Sequence, residues 1–257
     1  MKKFQKNYRN TSWNRVGSWY QDLVRDKGHF FHKNLIIPGT LKLLDLNEKS
    51  VLLDLGCGQG VLSRSLPKIS YYLGVDLAPS LIEYAKKDNH NSNFEFIISD
   101  VTKPLRLARS DFSHAAIILA LQNMENISMV FENLKNHLSS DGKVVLVINH
   151  PCFRIPRQSS WGIDENNKLE YRRINRYLTP LKIPINIHPG QANSPLTWSF
   201  HWPLSHLSQL MFENGFVIEK IDEWSSGKTS QGKASRMENR ARLEFPLFMA
   251  ILAKKVK

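Results

Sequence analysis

Apolar residues gather through the middle of the chain in short unbroken blocks at 51–55, 71–75, 94–98, 114–119 and 143–148. Their length and lack of polar alternation predict strands buried on both faces. Helical spacing fills the gaps. A helix is expected from about residue 60. Pro79 and Ser80 open another through Lys87, with Leu81, Tyr84 and Ala85 on one face. Ile127, Val130, Phe131, Leu134 and Leu138 form the stripe of a third, and Asp141-Gly142 reads as a turn. Strands alternating with helices in this way predict a doubly wound, Rossmann-like α/β sheet with mostly parallel strands. Farther on, Pro203 starts a helix bearing Leu204, Leu207, Leu210 and Met211, stopped at Gly215. Residues 216–221 and 246–252 read as the sixth and seventh strands, and the polar stretch 223–242 is expected to be mobile in part.

The flanks follow a different pattern. Trp13, Val16, Tyr20 and Leu23 recur at near-helical spacing within 11–25, and a second helical stretch covers 30–44 with an interruption at Pro38-Gly39. Residues 1–45 therefore read as an N-terminal helical cap. The segment 151–200 holds Pro151, Pro156, Pro180, Pro184, Pro189 and Pro195 and is too long for an ordinary connection. It reads as an insertion or lid of short extended pieces beside the fifth strand, leaving 46–150 and 201–257 as the main domain.

Composition narrows the class. Hydrophobic residues make up 42% of the 257, which suits a packed core and excludes a disordered chain. Cys57 and Cys152 form no zinc pattern, so no metal is expected, and both are expected to be reduced. The first residues are polar, and no apolar run approaches a membrane span. A cytoplasmic location is expected; a monomer and a homodimer both stay open. The net charge of +12 is uneven: residues 51–150 sum to −1, while 1–50 carry +6 and 151–257 carry +7. Such flanks suit an anionic substrate, RNA or a membrane surface, or are simply solvated faces.

The chemistry concentrates where strands end. In Val51-Leu-Leu-Asp-Leu-Gly-Cys-Gly-Gln-Gly60 a buried strand breaks into a glycine turn, and Gly56, Gly58 and Gly60 let backbone approach a ligand. Cys57 is a small side chain inside that turn. Asp54 sits near the first strand end, where a carboxylate can meet a cationic amino group; that fits methionine and fits a pyrophosphate poorly. Asp76 ends the second strand, and its two oxygens can accept from both ribose hydroxyls. Asp100 ends the third and can accept from an adenine amino group, with Leu77 and Val101 sandwiching the ring. The cofactor these details favour is S-adenosylmethionine over a dinucleotide.

These residues resemble the class I S-adenosylmethionine-dependent methyltransferases. Val51 to Gly60 is similar to that family's first motif, Gly74-Val-Asp76 to its ribose-binding acid, and Ile98-Ser-Asp100 to its adenine-contacting acid. Leu119-Ala-Leu-Gln-Asn-Met124 resembles the segment that flanks the methionine moiety, which adds Leu121 to the cofactor residues. The resemblance covers about 11–150 and 202–254. It implies seven strands, the last antiparallel, and an N-terminal helix folded over the cofactor with Tyr20 as its cap.

On the acceptor side, His150 follows the fifth strand and is expected to face the mouth of the site; His201 begins the helix after the insertion. Either can deprotonate or position an acceptor. Gln122, Arg154, Trp161 and Tyr177 are candidate substrate contacts, since arginines and aromatics suit a planar or anionic molecule. The segments His-Pro-Cys-Phe and His-x-Pro-Leu-Ser resemble a subgroup of small-molecule methyltransferases related to quinone-biosynthesis enzymes. The function expected is methyl transfer to a small, aromatic or amphiphilic acceptor. An RNA or protein methyltransferase using the basic flanks is the alternative, with a non-enzymatic binding module and a dinucleotide oxidoreductase behind it.

Overall fold

A computed structural model describes residues 30–186 and 196–256. The expected helix over 11–25, with Trp13 and Tyr20, lies outside them. Helix α1 (Ile37–Leu44) follows a π-helical turn at His32–Ile36. The expected break at Pro38-Gly39 does not occur. Pro38 falls in the first turn of α1, directly after the π-helical turn, and the backbone stays helical through it. Gly39 lies under the Trp224 ring, where a Cβ would come within 2.5 Å of Cζ2.

Strands β1 (Val51–Leu55), β2 (Tyr71–Asp76), β3 (Phe94–Ile98), β4 (Phe112–Ile118) and β5 (Leu138–Asn149) alternate with α2 (Pro79–Asp88) and α3 (Ile127–His137). Two antiparallel hairpins follow: β6 (Ser159–Asp164) with β7 (Leu169–Ile174), then β8 (Leu181–Asn186) with β9 (Leu196–His201). The chain continues through α4 (Leu204–Glu213), β10 (Phe216–Trp224), α5 (Ser235–Glu244) and β11 (Phe248–Lys255). One seven-stranded sheet has the order β10-β11-β5-β4-β1-β2-β3. Strands β1 to β5 pair in parallel, and β11 runs antiparallel between β5 and β10. The doubly wound sheet with an antiparallel last strand is thus the fold the sequence indicates.

Side-chain alternation divides the core between the two faces of the sheet. Leu53, Leu55, Val75, Ile117, Leu146 and Ile251 pack with α3 and α4. Leu52, Tyr72, Ala116, Val145, Val147 and Ala250 pack with α1 and α2.

Two local expectations are corrected. No α-helix follows the glycine turn: only a 3₁₀ turn at Ser63–Ser65 forms. Pro67 stands close behind it, and the Ser63 hydroxyl donates back to the Gly60 carbonyl at 2.8 Å. Asp141-Gly142 lies within β5, where pairing with β4 jumps from Phe112–Leu138 to His114–Lys143 and the intervening residues bulge. The polar stretch 223–242 includes most of α5. Its Arg240 donates to the Lys168 carbonyl at 3.0 Å, and Asn239 pairs with the backbone of Ser230.

Candidate active site

The turn after β1 is shaped by three glycines with φ of +79°, +55° and +74° at Gly56, Gly58 and Gly60. Gly56 has no room for a side chain: a Cβ would sit 2.4 Å from that of Ala120. Gly58 faces open space within 4 Å, so its backbone is the part of the turn that a ligand can approach.

Asp76, at the end of β2, is tied to this turn. Its Oδ2 accepts from the Gly58 N–H and its Oδ1 from the Ala78 N–H, each at 2.9 Å. Burial raises its pKa, and those backbone donors partly offset the rise. Each oxygen keeps further lone-pair capacity for a ligand hydroxyl. Asp100 lies beyond the end of β3. Burial pushes its pKa up, but bonds from Thr102 and Lys103 outweigh that and hold it below the usual carboxylate value. Lys103 Nζ lies 3.0 Å from Oδ2.

Asp76, Asp100, Leu77, Val101, Gly56 and Gly58 line one cleft of about 330 Å³, a size typical of ligand sites. Leu119, Ala120, Asn123 and Met124 form another wall. Leu119 holds φ of +50°, costly for a branched residue, and its carbonyl accepts from the side-chain amides of both Gln122 and Asn123. Trp198 and Phe200 of β9 close the far side. The sequence reading missed both, although Leu196-Thr-Trp-Ser-Phe-His201 places them two apart on one strand face. Lys182 sits behind them, 5.0 Å from the Trp198 ring centre, and pairs with Glu125 at 2.9 Å.

Asp54 does not line this cleft. It lines a smaller cavity of about 40 Å³ with Cys57 and Gln59, and the two spaces share Gly56, Gly58 and Ile118. It is buried and accepts from the Tyr72 hydroxyl at 2.7 Å. Burial pushes its pKa up to about 7; Tyr72 opposes this, and the charge of Asp76 adds to it. The Cys57 thiol is pushed up as well, by burial and then by the charges of Asp54 and Asp76.

The acceptor-side candidates are scattered. Leu121 turns away from the cleft into the core and lines, with Gln122, Asn149, Arg154, Phe200, His201 and Trp202, a third cavity of about 30 Å³. His150 lines neither. Its Nδ1 accepts from the Cys152 N–H at 3.2 Å, so its proton is on Nε2, which donates to Glu223 Oε1 at 2.6 Å. Both ring nitrogens are engaged with protein, and burial lowers the pKa against the pull of Glu223. The expectation that it faces the mouth of the site is corrected: it fastens β5 to β10. His201 Nε2 donates to the Tyr177 carbonyl at 2.6 Å, which leaves Nδ1 as an acceptor. The Tyr177 hydroxyl accepts from the Leu204 N–H at 3.1 Å, capping α4. Trp161 packs edge-on against Phe245, with Arg172 over its ring, away from both spaces. Among the described residues, no cluster of three metal-ligating side chains occurs, and no helix is long and apolar enough to cross a membrane.

Residues 53–146 match the family model described as a methyltransferase domain. Over 151 residues the chain is 26% identical to an uncharacterized protein of Haemophilus influenzae, covering 54% of this chain and 58% of that protein. Over 126 residues it is 31% identical to a ubiquinone biosynthesis O-methyltransferase of Coxiella burnetii, covering 46% and 53%. The chain thus spans little more than half the length of these curated relatives. A crystal structure of an S-adenosylmethionine-dependent methyltransferase from Mesorhizobium loti superposes with a TM-score of 0.68 at 23% identity, over 87% of this chain and all of that one. Strand order, glycine turn and strand-end acids together give this chain the class I S-adenosylmethionine-dependent methyltransferase fold.

Proposed function

We propose that the protein transfers a methyl group from S-adenosylmethionine to a small acceptor. The observation that carries this reading is the cleft itself: two carboxylates from neighbouring strand ends, an approachable glycine backbone at Gly58, and apolar walls. In this assignment Asp76 receives the ribose hydroxyls, Leu77 and Val101 flank the adenine, and Asp100 accepts from its amino group. Asp54 faces the cationic methionine end across the glycine turn. The bound cofactor supplies a methyl already activated on a sulfonium. The protein's part is to hold the acceptor in line and keep water out.

Residues 151–200 serve as the lid over the acceptor, with the β8–β9 hairpin supplying Trp198 and Phe200, and residues 1–45 as the cap. A small acceptor is favoured over RNA or protein because the cleft adjoins a small, partly open cavity whose mainly apolar wall carries Gln122, Arg154, His201 and Trp202. The relative named as a ubiquinone biosynthesis enzyme supports the same choice at the level of subgroup.

Calorimetry on the full chain tests the cofactor: S-adenosylmethionine and its demethylated product are expected to bind, and nicotinamide dinucleotide is not. Binding of only the dinucleotide would overturn the assignment. Labelled-methyl uptake then compares small acceptors with RNA and protein. Uptake confined to RNA or protein would sink the small-acceptor reading.

A further inference from the structure

The cavity of about 30 Å³ beside the cleft is unusual in its polar groups. Arg154 lines it half-buried. The guanidinium lies 5.0 Å from the Phe248 ring centre and makes one long hydrogen bond, 3.3 Å to the Leu247 carbonyl. Among the described residues no carboxylate pairs with it; the charge acting on it is that of Arg172, of the same sign. A half-buried cation without a counter-charge keeps capacity to pair with an anion. Trp202 Nε1, in the same wall, is a buried donor with no partner, although its ring is fixed between Phe200 and His206. Gln122 Oε1 is a buried acceptor with no partner, because its amide nitrogen is occupied by the Leu119 carbonyl. His201 Nδ1 is a second acceptor.

An unmatched donor, Trp202 Nε1, and an unmatched acceptor, Gln122 Oε1, share a wall with a cation, and together they define what is missing: an anionic group next to a hydroxyl. The space, partly open to one side, has room for a carboxylate and a hydroxyl on the neighbouring carbon. Phe200 lines both this cavity and the cleft, and Gln122 belongs to the turn whose neighbours Leu119, Ala120 and Asn123 line the cleft. Whatever sits here is therefore adjacent to the cofactor.

We propose that this cavity receives a hydroxy acid, either as the whole acceptor or as its terminal group. The carboxylate sits on Arg154 and Trp202 Nε1–H, and the hydroxyl donates to Gln122 Oε1. This rests on the methyltransferase reading for its context, and the test keeps the two separable.

The probes are lactate, lactamide and propionate, titrated by ligand-observed NMR into the full chain with and without S-adenosylhomocysteine. Lactate is expected to bind about tenfold or more tighter than lactamide, the size of a charge-assisted hydrogen bond. It is expected to exceed propionate by several-fold. Arg154→Met should bring lactate and lactamide within about twofold and leave S-adenosylhomocysteine binding unchanged. Gln122→Leu should erase only the preference over propionate. Equal binding of lactate and lactamide to the wild-type chain, or failure of both to bind, overturns the proposal without recourse to any variant. A preference that survives Arg154→Met overturns it too. Acid preference without S-adenosylhomocysteine affinity sinks the cofactor reading alone; the reverse sinks the cavity assignment alone.

Discussion

The cofactor cleft and the cavity next to it are assembled by different means. In the cleft, Asp76 and Asp100 follow directly from β2 and β3, and Gly56 and Gly58 from β1. Their positions are set by one sheet, and backbone N–H groups hold Asp76 in place. The cavity is gathered from Leu121 and Gln122, from 148–156, from the end of β9 and from Leu207 on α4. It depends on hairpin docking, and two of its polar atoms, Trp202 Nε1 and Gln122 Oε1, lack the partners the cleft acids have. The cleft acids are tied to backbone donors; the cavity keeps a buried donor and a buried acceptor without partners. A sheet can present a common cofactor while an added hairpin layer changes what is presented to it.

The contrast can be broken at its strongest point first. Gly56→Ala adds a Cβ against Ala120 at a left-handed backbone position and should cost about 2–4 kcal/mol of stability, read by denaturant unfolding. A wild-type midpoint would mean the turn is not rigid. Next is Asp54. Its folded pKa of about 7 stands above the ordinary 3.8, so its share of stability is complete below about pH 4 and is lost as pH rises through 7. Asp54→Asn should flatten the melting-temperature profile across that window by an amount on the order of 2–4 kcal/mol; parallel profiles would refute the burial.

Asp76→Ala should weaken S-adenosylmethionine binding by roughly 1–3 kcal/mol in calorimetry, through lost charge-assisted bonds. An unchanged dissociation constant in folded protein removes it from the site. Trp198→Ala should lower cofactor affinity by about 1 kcal/mol with little change in unfolding. No change would detach the hairpin from the cleft. The smallest catalytic effect is expected at His150. With both ring nitrogens bonded to protein, His150→Gln should leave turnover within about twofold and cost about 1–2 kcal/mol of stability. A large fall in turnover at normal stability would show that the histidine reaches the acceptor.

The sheet and the strand-end acids were legible because each is a local pattern: an apolar block, then a turn residue or acid within a few positions. Asp54 was legible as a strand-end carboxylate, but its retreat behind the glycine turn was not. That retreat depends on Tyr72, whose hydroxyl meets it from the neighbouring strand. His150 and Trp161 misled because composition near a strand end says nothing of aim. The first is turned by Glu223, 73 residues away, and the second by Phe245. Trp198 and Phe200 were within reach of a period-two reading that the prolines around them obscured. The missing helix after the glycine turn was hidden by residues of adequate propensity; Ser63 and Pro67 decide it locally.

That truncated turn at Ser63–Ser65 has an electrostatic consequence. A long helix there would aim its positive macrodipole at the mouth of the glycine loop, the arrangement that draws in a pyrophosphate. With a single turn of 3₁₀ geometry that dipole is short, and the charges beside the loop are mixed: Asp76 bonds to the Gly58 N–H, while the Arg64 guanidinium donates to the Gln59 carbonyl at 2.7 Å. A ligand at this loop would therefore be held by individual backbone and side-chain groups more than by a helix field.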